Sequence, residues 1–187
     1  MTEPQSQERP PYLPGDRTTA SDTARMIRVD QAGEYGATRI YQGQLAVLRH
    51  GHGAQAIREM AEQEQRHLAQ FNRLAAARRV RPTALSPLWH VAGYALGAAT
   101  ALLGERAAMA CTVAIEEVID SHYASQAKAL ADSDRELAAT IYEARADELA
   151  HRDIALAHEA TEAPGYELLS AAIKTGARLA IWLSERI

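Results

Sequence analysis

The sequence predicts an all-α protein in which four long helices form a bundle. Two further hydrophobic or amphipathic helices, a crossover helix and a C-terminal helix, are expected beside it. Three observations support this prediction. Hydrophobic residues make up 47% of the 187 residues, many of them alanine, whereas only 5% are aromatic. The 7 prolines are concentrated outside the segments with helical spacing. The helical segments also occur as two similar pairs.

The length of the chain suits one domain with a full hydrophobic core, which we place at residues 21–187. Residues 1–20 are rich in Pro, Gln and Glu and are predicted to form a mobile tail. This tail lacks the apolar stretch of a secretory signal, and a transit peptide is poorly supported. A net charge of −4 without a long basic block argues against nucleic-acid binding. The single cysteine, Cys111, excludes an intrachain disulfide and a metal site of four thiolates.

An internal repeat organises the chain. Each copy opens with a lone glutamate and closes with the motif Glu-x-x-His, over residues 34–67 and 116–151. A tyrosine and a glutamine follow each opening glutamate at the same spacing, and this pattern selects Glu116 rather than Glu117. The matching residues are Glu34, Tyr41, Gln44, Glu64 and His67 in the first copy and Glu116, Tyr123, Gln126, Glu148 and His151 in the second.

The repeat predicts a centre that binds two metal ions. Residues three apart lie on one face of a helix, so each Glu-x-x-His motif directs a carboxylate and an imidazole to the same place. Two such motifs and two single glutamates supply six ligands, and two divalent ions would balance the four carboxylates. This is the ligand set of ferritin-like bundles that bind two iron or manganese ions. Mixed oxygen and nitrogen ligands favour Fe or Mn over Zn.

The alternative is that these residues are solvated charges on helix surfaces. Their spacing argues against it, because Glu148 and His151 lie on an apolar helix face. The other members of that face are Leu137, Ile141 and Ala144. The first motif occupies an equivalent apolar face, and carboxylates buried there need a compensating cation.

The first two bundle helices are bounded by caps and turns. Ser21 or Asp22 can cap a first helix that runs to about His50. The second helix is predicted over residues 54–80, and Pro82 stops it.

Two glycines flank the first opening glutamate. Gly33 and Gly36 each cost a helix interior about 1 kcal/mol relative to Ala. We therefore expect close approach of a neighbouring helix, a metal or a substrate beside Glu34.

A connecting segment follows the second helix. Ser86-Pro87 is typical of an N-cap followed by Pro at the first helical position. Residues 91–103 carry no charge but are too few to span a bilayer. They predict either a crossover helix packed on the bundle or a buried, re-entrant or interfacial helix. Trp89 and Tyr94 favour membrane contact.

The remaining helices are predicted over residues 105–130, 134–158 and 166–187. The last of these is amphipathic and could pack on the bundle or lie at a lipid surface, and packing is favoured. Tyr41 is interpreted as an ordinary core tyrosine. His122 lies about 120° from Glu116 around its helix, so it is not expected to bind metal directly, although an outer or proton-transfer role stays open.

Several longer motifs resemble the demethoxyubiquinone hydroxylases of ubiquinone biosynthesis over about residues 24–187. These motifs are DQAGEYGA at 30–37, RIY at 39–41, RVRPT at 79–83, PLW at 87–89, TALLG at 100–104, MACTV at 109–113 and LSER at 183–186. The resemblance implies a ferritin-like di-iron monooxygenase. Such an enzyme hydroxylates the ring of a polyprenyl methoxy-methyl-benzoquinol, demethoxyubiquinol, one step before the final O-methylation of ubiquinone.

The resemblance also implies the site residues and cofactors. The metal ligands of the family fall on Glu34, Glu64, His67, Glu116, Glu148 and His151. His122 and Tyr123 match a pair that assists electron or proton transfer. The implied requirements are two Fe ions per chain, O2 as co-substrate, and two electrons from NADH or another reductant. The sequence contains no G-x-G-x-x-G motif or P-loop to hold a nucleotide.

The implied partners are a polyprenyl benzoquinol, a membrane surface and other proteins of the ubiquinone pathway, and a homo-oligomer is compatible with them. Without an evident mitochondrial presequence, we expect a peripheral protein at the cytoplasmic face of an inner membrane. Segments 85–104 and 166–187 are the candidates for a channel that admits the lipid. Two other functions stay open: a ferritin-like ferroxidase, iron-storage protein or peroxidase, and a non-enzymatic scaffold that binds a lipid quinone.

Overall fold

The computed structural model describes residues 18–187, apart from the side chain of His52, and these residues form helices without any strand. The helices are α1 (Thr19–Val47), α2 (His52–Ala77), α3 (Ser86–Leu102), α4 (Glu105–Leu130), α5 (Arg135–Ala157) and α6 (Tyr166–Ser184), with a short 3₁₀ turn at Ala160–Glu162. This architecture confirms the predicted all-α bundle with two additional helices. Residues 1–17 of the predicted mobile tail lie outside the described residues, so that part of the prediction stays untested.

The bundle consists of α1, α2, α4 and α5. Helix α1 packs along α2, and α4 packs along α5, so each hairpin corresponds to one copy of the repeat. Large apolar side chains fill the centre of the bundle on both sides of the predicted metal ligands. Those that are almost completely buried include Ile27, Ile57, Met60, Phe71, Met109, Leu130, Leu137 and Ile141.

The helix ends agree with the predicted ones at α4 and α5 but not at the start of α1. Helix α1 begins earlier than expected, because Thr18 rather than Ser21 or Asp22 is its N-cap and its Oγ1 accepts a hydrogen bond from the backbone N–H of Ser21 at 3.2 Å. Helix α5 begins as predicted, since the carboxylate of Asp134 accepts from the N–H of Leu137 at 3.1 Å. The bounds of α4 also match the prediction.

Helix α3 is the crossover between the two hairpins, and it packs against α1 through glycines. A Cβ on Gly97 would clash with the backbone carbonyl of Ile40, and a Cβ on Gly43 would clash with that of Tyr94. A Cβ on Gly93 would lie 2.9 Å from the carbonyl oxygen of Gly36. These glycines allow the two backbones to approach more closely than side chains would permit.

Helix α6 packs on α4, which confirms the favoured prediction for this segment. Ile173 is buried against the bundle, and Lys174 forms an ion pair with Glu117 of α4. The end of α6 also meets the start of α3, where Nε1 of Trp89 donates a hydrogen bond to Oγ of Ser184 at 3.0 Å.

The outer faces of α3 and α6 are strongly apolar. The exposed large hydrophobic residues are Leu88, Val91, Tyr94, Leu102 and Leu103 on or next to α3, and Leu168, Leu179 and Trp182 on α6. No helix among the described residues combines the length and the hydropathy needed to cross a membrane.

Candidate metal centre

All six predicted metal ligands meet in the interior of the bundle. All four bundle helices contribute at least one of them, and none is more than 6% exposed. The residues are Glu34 on α1, Glu64 and His67 on α2, Glu116 on α4, and Glu148 and His151 on α5. They converge because each lies on the apolar face that its helix turns towards the core.

The six side chains form two overlapping groups that could each hold one ion. Within each group, one potential ligand atom per residue lies within 4.8 Å of the others. The first group, the His67 position, contains Glu34, Glu64, His67 and Glu148. The second group, the His151 position, contains Glu64, Glu116, Glu148 and His151. The carboxylates of Glu64 and Glu148 belong to both groups, and are thus placed to bridge two ions.

Both imidazoles direct Nδ1 towards the carboxylates. Nδ1 of His67 lies 3.6 Å from Oε2 of Glu34 and 3.4 Å from Oε1 of Glu148. Nδ1 of His151 lies 3.0 Å from Oε1 of Glu64 and 3.4 Å from Oε2 of Glu148. Nδ1 is therefore the ring atom of each histidine that could bind a metal.

The outward nitrogen of each imidazole is held by the opposite copy of the repeat. Nε2 of His67 lies 2.9 Å from Oδ2 of Asp147, and Nε2 of His151 lies 3.2 Å from Oε1 of Gln63. Each partner directly precedes the glutamate of a Glu-x-x-His motif. Such contacts orient the ring and leave the other nitrogen available to a metal.

The two repeat tyrosines also cross between the copies. The hydroxyl of Tyr41 donates to Oε1 of Glu116 at 3.0 Å, and the hydroxyl of Tyr123 donates to Oε1 of Glu34. Tyr41 lies in the core, as interpreted, but its hydroxyl also contacts Glu116, one of the predicted metal ligands. The other oxygen of each glutamate, Oε2, is buried and has no hydrogen-bond partner.

The donor atoms that face one another fit a pair of cations. Buried polar atoms are normally hydrogen-bonded, and a cluster without partners is costly unless an ion occupies it. The cluster atoms that have no hydrogen-bond partner are Oε2 of Glu34, Oε1 of Glu64, Oε2 of Glu116, both carboxylate oxygens of Glu148, and Nδ1 of His67 and of His151. This mixture of carboxylate oxygens and imidazole nitrogens suits Fe or Mn.

The electrostatics of the cluster also favour cations. Burial raises the pKa values of Glu34, Glu64 and Glu116, and repulsion between the carboxylates adds to this effect. Burial acts on Glu148 in the same direction, but the neighbouring imidazoles outweigh it and lower the pKa of Glu148 to about 2. Burial disfavours the charged ring of His67, yet contacts with Glu148 and Glu34 raise its pKa to about 11. Metal binding would therefore displace protons from the centre.

His122 lies outside the cluster, as its helical position predicted. Its Nε2 is 2.7 Å from Nε2 of Gln126 and 3.4 Å from Oδ1 of Asp30. The amide of Gln126 also donates to Oδ1 of Asp30 at 2.8 Å. Asp30 is buried one helical turn before Glu34, and burial raises its pKa. This polar network thus reaches the helix face that carries the first cluster glutamate.

Four contacts of the centre were missed by sequence reasoning. Asp147 and Gln63 could have been found, because they occupy the same place in the two motifs. Asp30 lies one turn from Glu34 within a longer motif, and Tyr41 belongs to the repeat pattern. For these residues the position was visible in the sequence, whereas the partner was not.

An apolar cavity of about 570 Å³ lies between α1, α3, α4 and α6. Gly33 and Gly36 form part of its wall, and a Cβ on either would meet nothing within 4 Å. The space beside these two glycines is therefore open cavity, while α3 makes one of the expected close approaches, to the backbone of Gly36 through Gly93. Ile115, the residue before Glu116, lines the same space, and Gly176 of α6 faces it from the other side.

Comparison with known proteins gives consistent matches. The family described as ubiquinone biosynthesis protein COQ7 matches residues 21–184. A 3-demethoxyubiquinol 3-hydroxylase of Rhodospirillum rubrum is 60% identical over 176 residues, which cover 94% of this chain and 83% of the relative. The human relative is named NADPH-dependent 3-demethoxyubiquinone 3-hydroxylase, mitochondrial. It is 51% identical over a stretch that covers 92% of this chain and 81% of the relative. A 5-demethoxyubiquinone hydroxylase of Saccharomyces cerevisiae is 41% identical, with coverages of 96% and 86%.

Proposed function

The chain belongs to the family of the ubiquinone biosynthesis protein COQ7, as its motifs predicted, and from this premise we propose that it hydroxylates the ring of a demethoxyubiquinol. The substrate is a polyprenyl methoxy-methyl-benzoquinol, and the reaction consumes O2 and two electrons. The observation that carries the proposal is the buried cluster of carboxylates and imidazoles, which matches what a two-metal oxygenase requires.

We assign the metal ligands to the six cluster residues. His67 and Glu34 would hold one iron ion, and His151 and Glu116 would hold the other. Glu64 and Glu148 would bridge them, because each belongs to both groups. The chemistry that a pair of iron ions supplies at such a centre is reductive activation of O2, so that one oxygen atom enters the ring and the other leaves as water.

The surrounding residues keep this centre oriented and dry. The tyrosine hydroxyls each hold one oxygen of a glutamate and leave the other free for a metal. Asp147 and Gln63 hold the outward nitrogens of the imidazoles. Exclusion of water strengthens every electrostatic interaction in the site and protects reactive species from side reactions.

The apolar cavity is the proposed site for the substrate. Its lining is almost entirely small and aliphatic, which suits a quinol ring with a polyprenyl tail. It borders the residues next to Glu34 and Glu116, so a ring bound there would lie beside the metal cluster. Helices α3 and α6 form its outer wall, and both carry exposed apolar side chains.

These apolar faces support contact with a membrane surface. A polyprenyl quinol resides in the bilayer, and an amphipathic surface at the cavity wall would allow it to enter without crossing water. We therefore propose a peripheral protein at the cytoplasmic face of the inner membrane. The same faces are also compatible with other proteins of the ubiquinone pathway or a second copy of the chain.

His122 and Tyr123 are proposed to assist electron or proton transfer. Tyr123 contacts Glu34, and the neighbouring His122 joins Asp30 and Gln126. Together they link the helix surface to a cluster glutamate. The electrons are proposed to come from NADH or a related reduced nicotinamide, consistent with the name of the human relative.

The test uses the variant Glu148→Gln, which removes one bridging carboxylate with little change in shape. The control is Glu143→Gln, which removes an exposed carboxylate five residues earlier on α5. Purified, reduced protein is given a short-chain demethoxyquinol and labelled O2, and both bound iron and ring-bound label are measured. We expect wild type and E143Q to bind two irons per chain and to place one labelled oxygen on the ring, whereas E148Q does neither.

The alternative functions give different results. A ferroxidase or peroxidase would bind two irons without hydroxylating the ring. A lipid-quinone scaffold would bind no iron and would still support ubiquinone formation in cells when it carries E148Q. Either result would contradict the proposed hydroxylase.

A further inference from the structure

The two halves of the candidate metal centre have the same kinds of ligand, but the outer partners of their histidines differ. Each half has one imidazole with Nδ1 turned inward and one glutamate held by a tyrosine, and both halves share the carboxylates of Glu64 and Glu148. The outward nitrogen of His67, however, meets the carboxylate of Asp147, whereas that of His151 meets the amide oxygen of Gln63. The duplicated scaffold thus holds two equivalent histidines by chemically different acceptors.

This difference has a direct effect on the histidines as ligands. A carboxylate accepts a shorter and stronger hydrogen bond from an imidazole N–H than a neutral amide does. It also increases the electron density that the ring donates through its other nitrogen, which strengthens a metal–imidazole bond. The distances agree with this order, at 2.9 Å for Asp147 and 3.2 Å for Gln63.

We propose that Asp147 is a positioning residue that makes the two metal positions unequal, so that the first iron ion binds at the His67 position. This inference rests on the proposed di-iron function and specifies the order in which the centre fills. Loss of an outer partner of this kind typically lowers metal affinity about 10- to 100-fold. The side chain of Asp147 is 42% exposed, so solvent moderates its influence and its substitution leaves the core intact.

The charge at positions 147 and 63 can be exchanged without changing the size of either side chain. Asp147→Asn retains an acceptor oxygen but removes the charge, and Gln63→Glu adds a charge where the amide now accepts. The double variant D147N/Q63E exchanges the charge between the two halves. Glu143→Gln is again the matched control. It removes one negative charge from the same solvent-facing side of α5 and does not touch a predicted ligand.

The experiment is an anaerobic titration of the metal-free full-length protein with Fe(II). One equivalent of Mössbauer-active iron is added first and one equivalent of the silent isotope second. Stepwise dissociation constants are measured in parallel, and circular dichroism confirms that each variant is folded. Reference spectra for the two positions come from His151→Ala and His67→Ala, each of which lacks one imidazole.

In wild type and E143Q, we expect the first equivalent to give one quadrupole doublet, that of the His67 position. In D147N the first binding step weakens about 10- to 100-fold and the label divides between both positions. In D147N/Q63E the label moves to the His151 position. This reversal is not expected from a purely structural role, since both variants keep the hydrogen bonds.

Other results would overturn the inference in distinguishable ways. If wild type divides the label evenly, if D147N behaves like E143Q, or if the double variant keeps the wild-type order, the inference fails while the two-iron centre stands. If wild type binds fewer than two irons, the proposed function fails with it.

Discussion

The hydroxyl of Tyr41 on α1 lies 3.0 Å from Oε1 of Glu116 on α4 and donates a hydrogen bond to it. The equivalent tyrosine of the second copy, Tyr123, donates to Glu34. Each half of the duplicated fold therefore supports a glutamate of the other half. The two helix hairpins are coupled at the cluster itself, and not only through the apolar core around it.

Replacing Tyr41 by Phe should weaken the His151 position selectively. The substitution removes the donor to Glu116 and leaves a buried carboxylate oxygen without a partner, which costs about 1–3 kcal/mol. We expect iron binding at that position to weaken about tenfold or more, while binding at the His67 position changes little. Stepwise Fe(II) titration measures this. Tyr142→Phe on the exposed face of α5 is the control, and equal loss in both variants would argue against the role of the Tyr41 hydroxyl.

The stability of the metal-free protein should fall as pH rises from about 5 to 8. Glu64 and Glu116 have pKa values raised above their ordinary value of 4.5, mainly by burial. A group of this kind contributes stability below its unfolded pKa, and the contribution is lost as pH rises through the folded pKa. The pKa of His67 is raised to about 11, so the stabilisation that His67 contributes is also lost as pH rises above 6.5. The pKa of Glu148 is lowered to about 2, so the stabilisation that Glu148 contributes is lost only when pH falls below about 4.5.

Urea unfolding of metal-free protein across this pH range measures the effect. Glu64→Gln should reduce the slope and be more stable than wild type at pH 8, because the unfolded state no longer gains from ionisation of this carboxyl. Glu62→Gln, an exposed position on α2, should keep the wild-type slope. Bound Fe(II) should restore stability at pH 8 in wild type. A flat profile for metal-free wild type would contradict the assigned protonation of the cluster.

Filling the cavity should impair substrate binding without affecting the metal. Gly176 lines the cavity, and a Cβ there would meet nothing within 4 Å. Gly176→Leu should therefore fold, retain wild-type iron content and raise the KM for a demethoxyquinol about tenfold, corresponding to about 1.4 kcal/mol of lost binding. Gly176→Ala, which adds only one methyl group, is the control. An unchanged KM for G176L would place the substrate elsewhere.

The apolar faces of α3 and α6 should determine membrane binding. Val91 is 64% exposed and Leu179 is 55% exposed, at helices that meet through Trp89 and Ser184. Burying such side chains in lipid contributes about 1.5–3 kcal/mol each. The double variant V91N/L179N should therefore reduce binding to phospholipid vesicles about tenfold or more in a sedimentation assay. Tyr142→Asn on α5 should bind as wild type does, and equal binding of all three proteins would refute the proposed membrane face.

The sequence by itself determined the helices, the repeat and the six residues that meet in the core. These features depend on local spacing: residues three apart share a helix face whatever the rest of the chain does, and apolar positions show which face is buried. The same rule placed His122 off the face of Glu116, where the structure has it. Local capping was less decisive, since Thr18 and not Ser21 or Asp22 begins α1.

Only the tertiary structure decided which side chains of different helices meet. Tyr41 and Glu116 are 75 residues apart, and His67 and Asp147 are 80 apart. Such contacts depend on how each helix is rotated and shifted against its neighbour, which is set by the packing of the whole core. The cavity has the same origin, because glycines on α1 and α3 bring those helices together while α6 closes the far side. Periodicity along one helix carries no information about either arrangement.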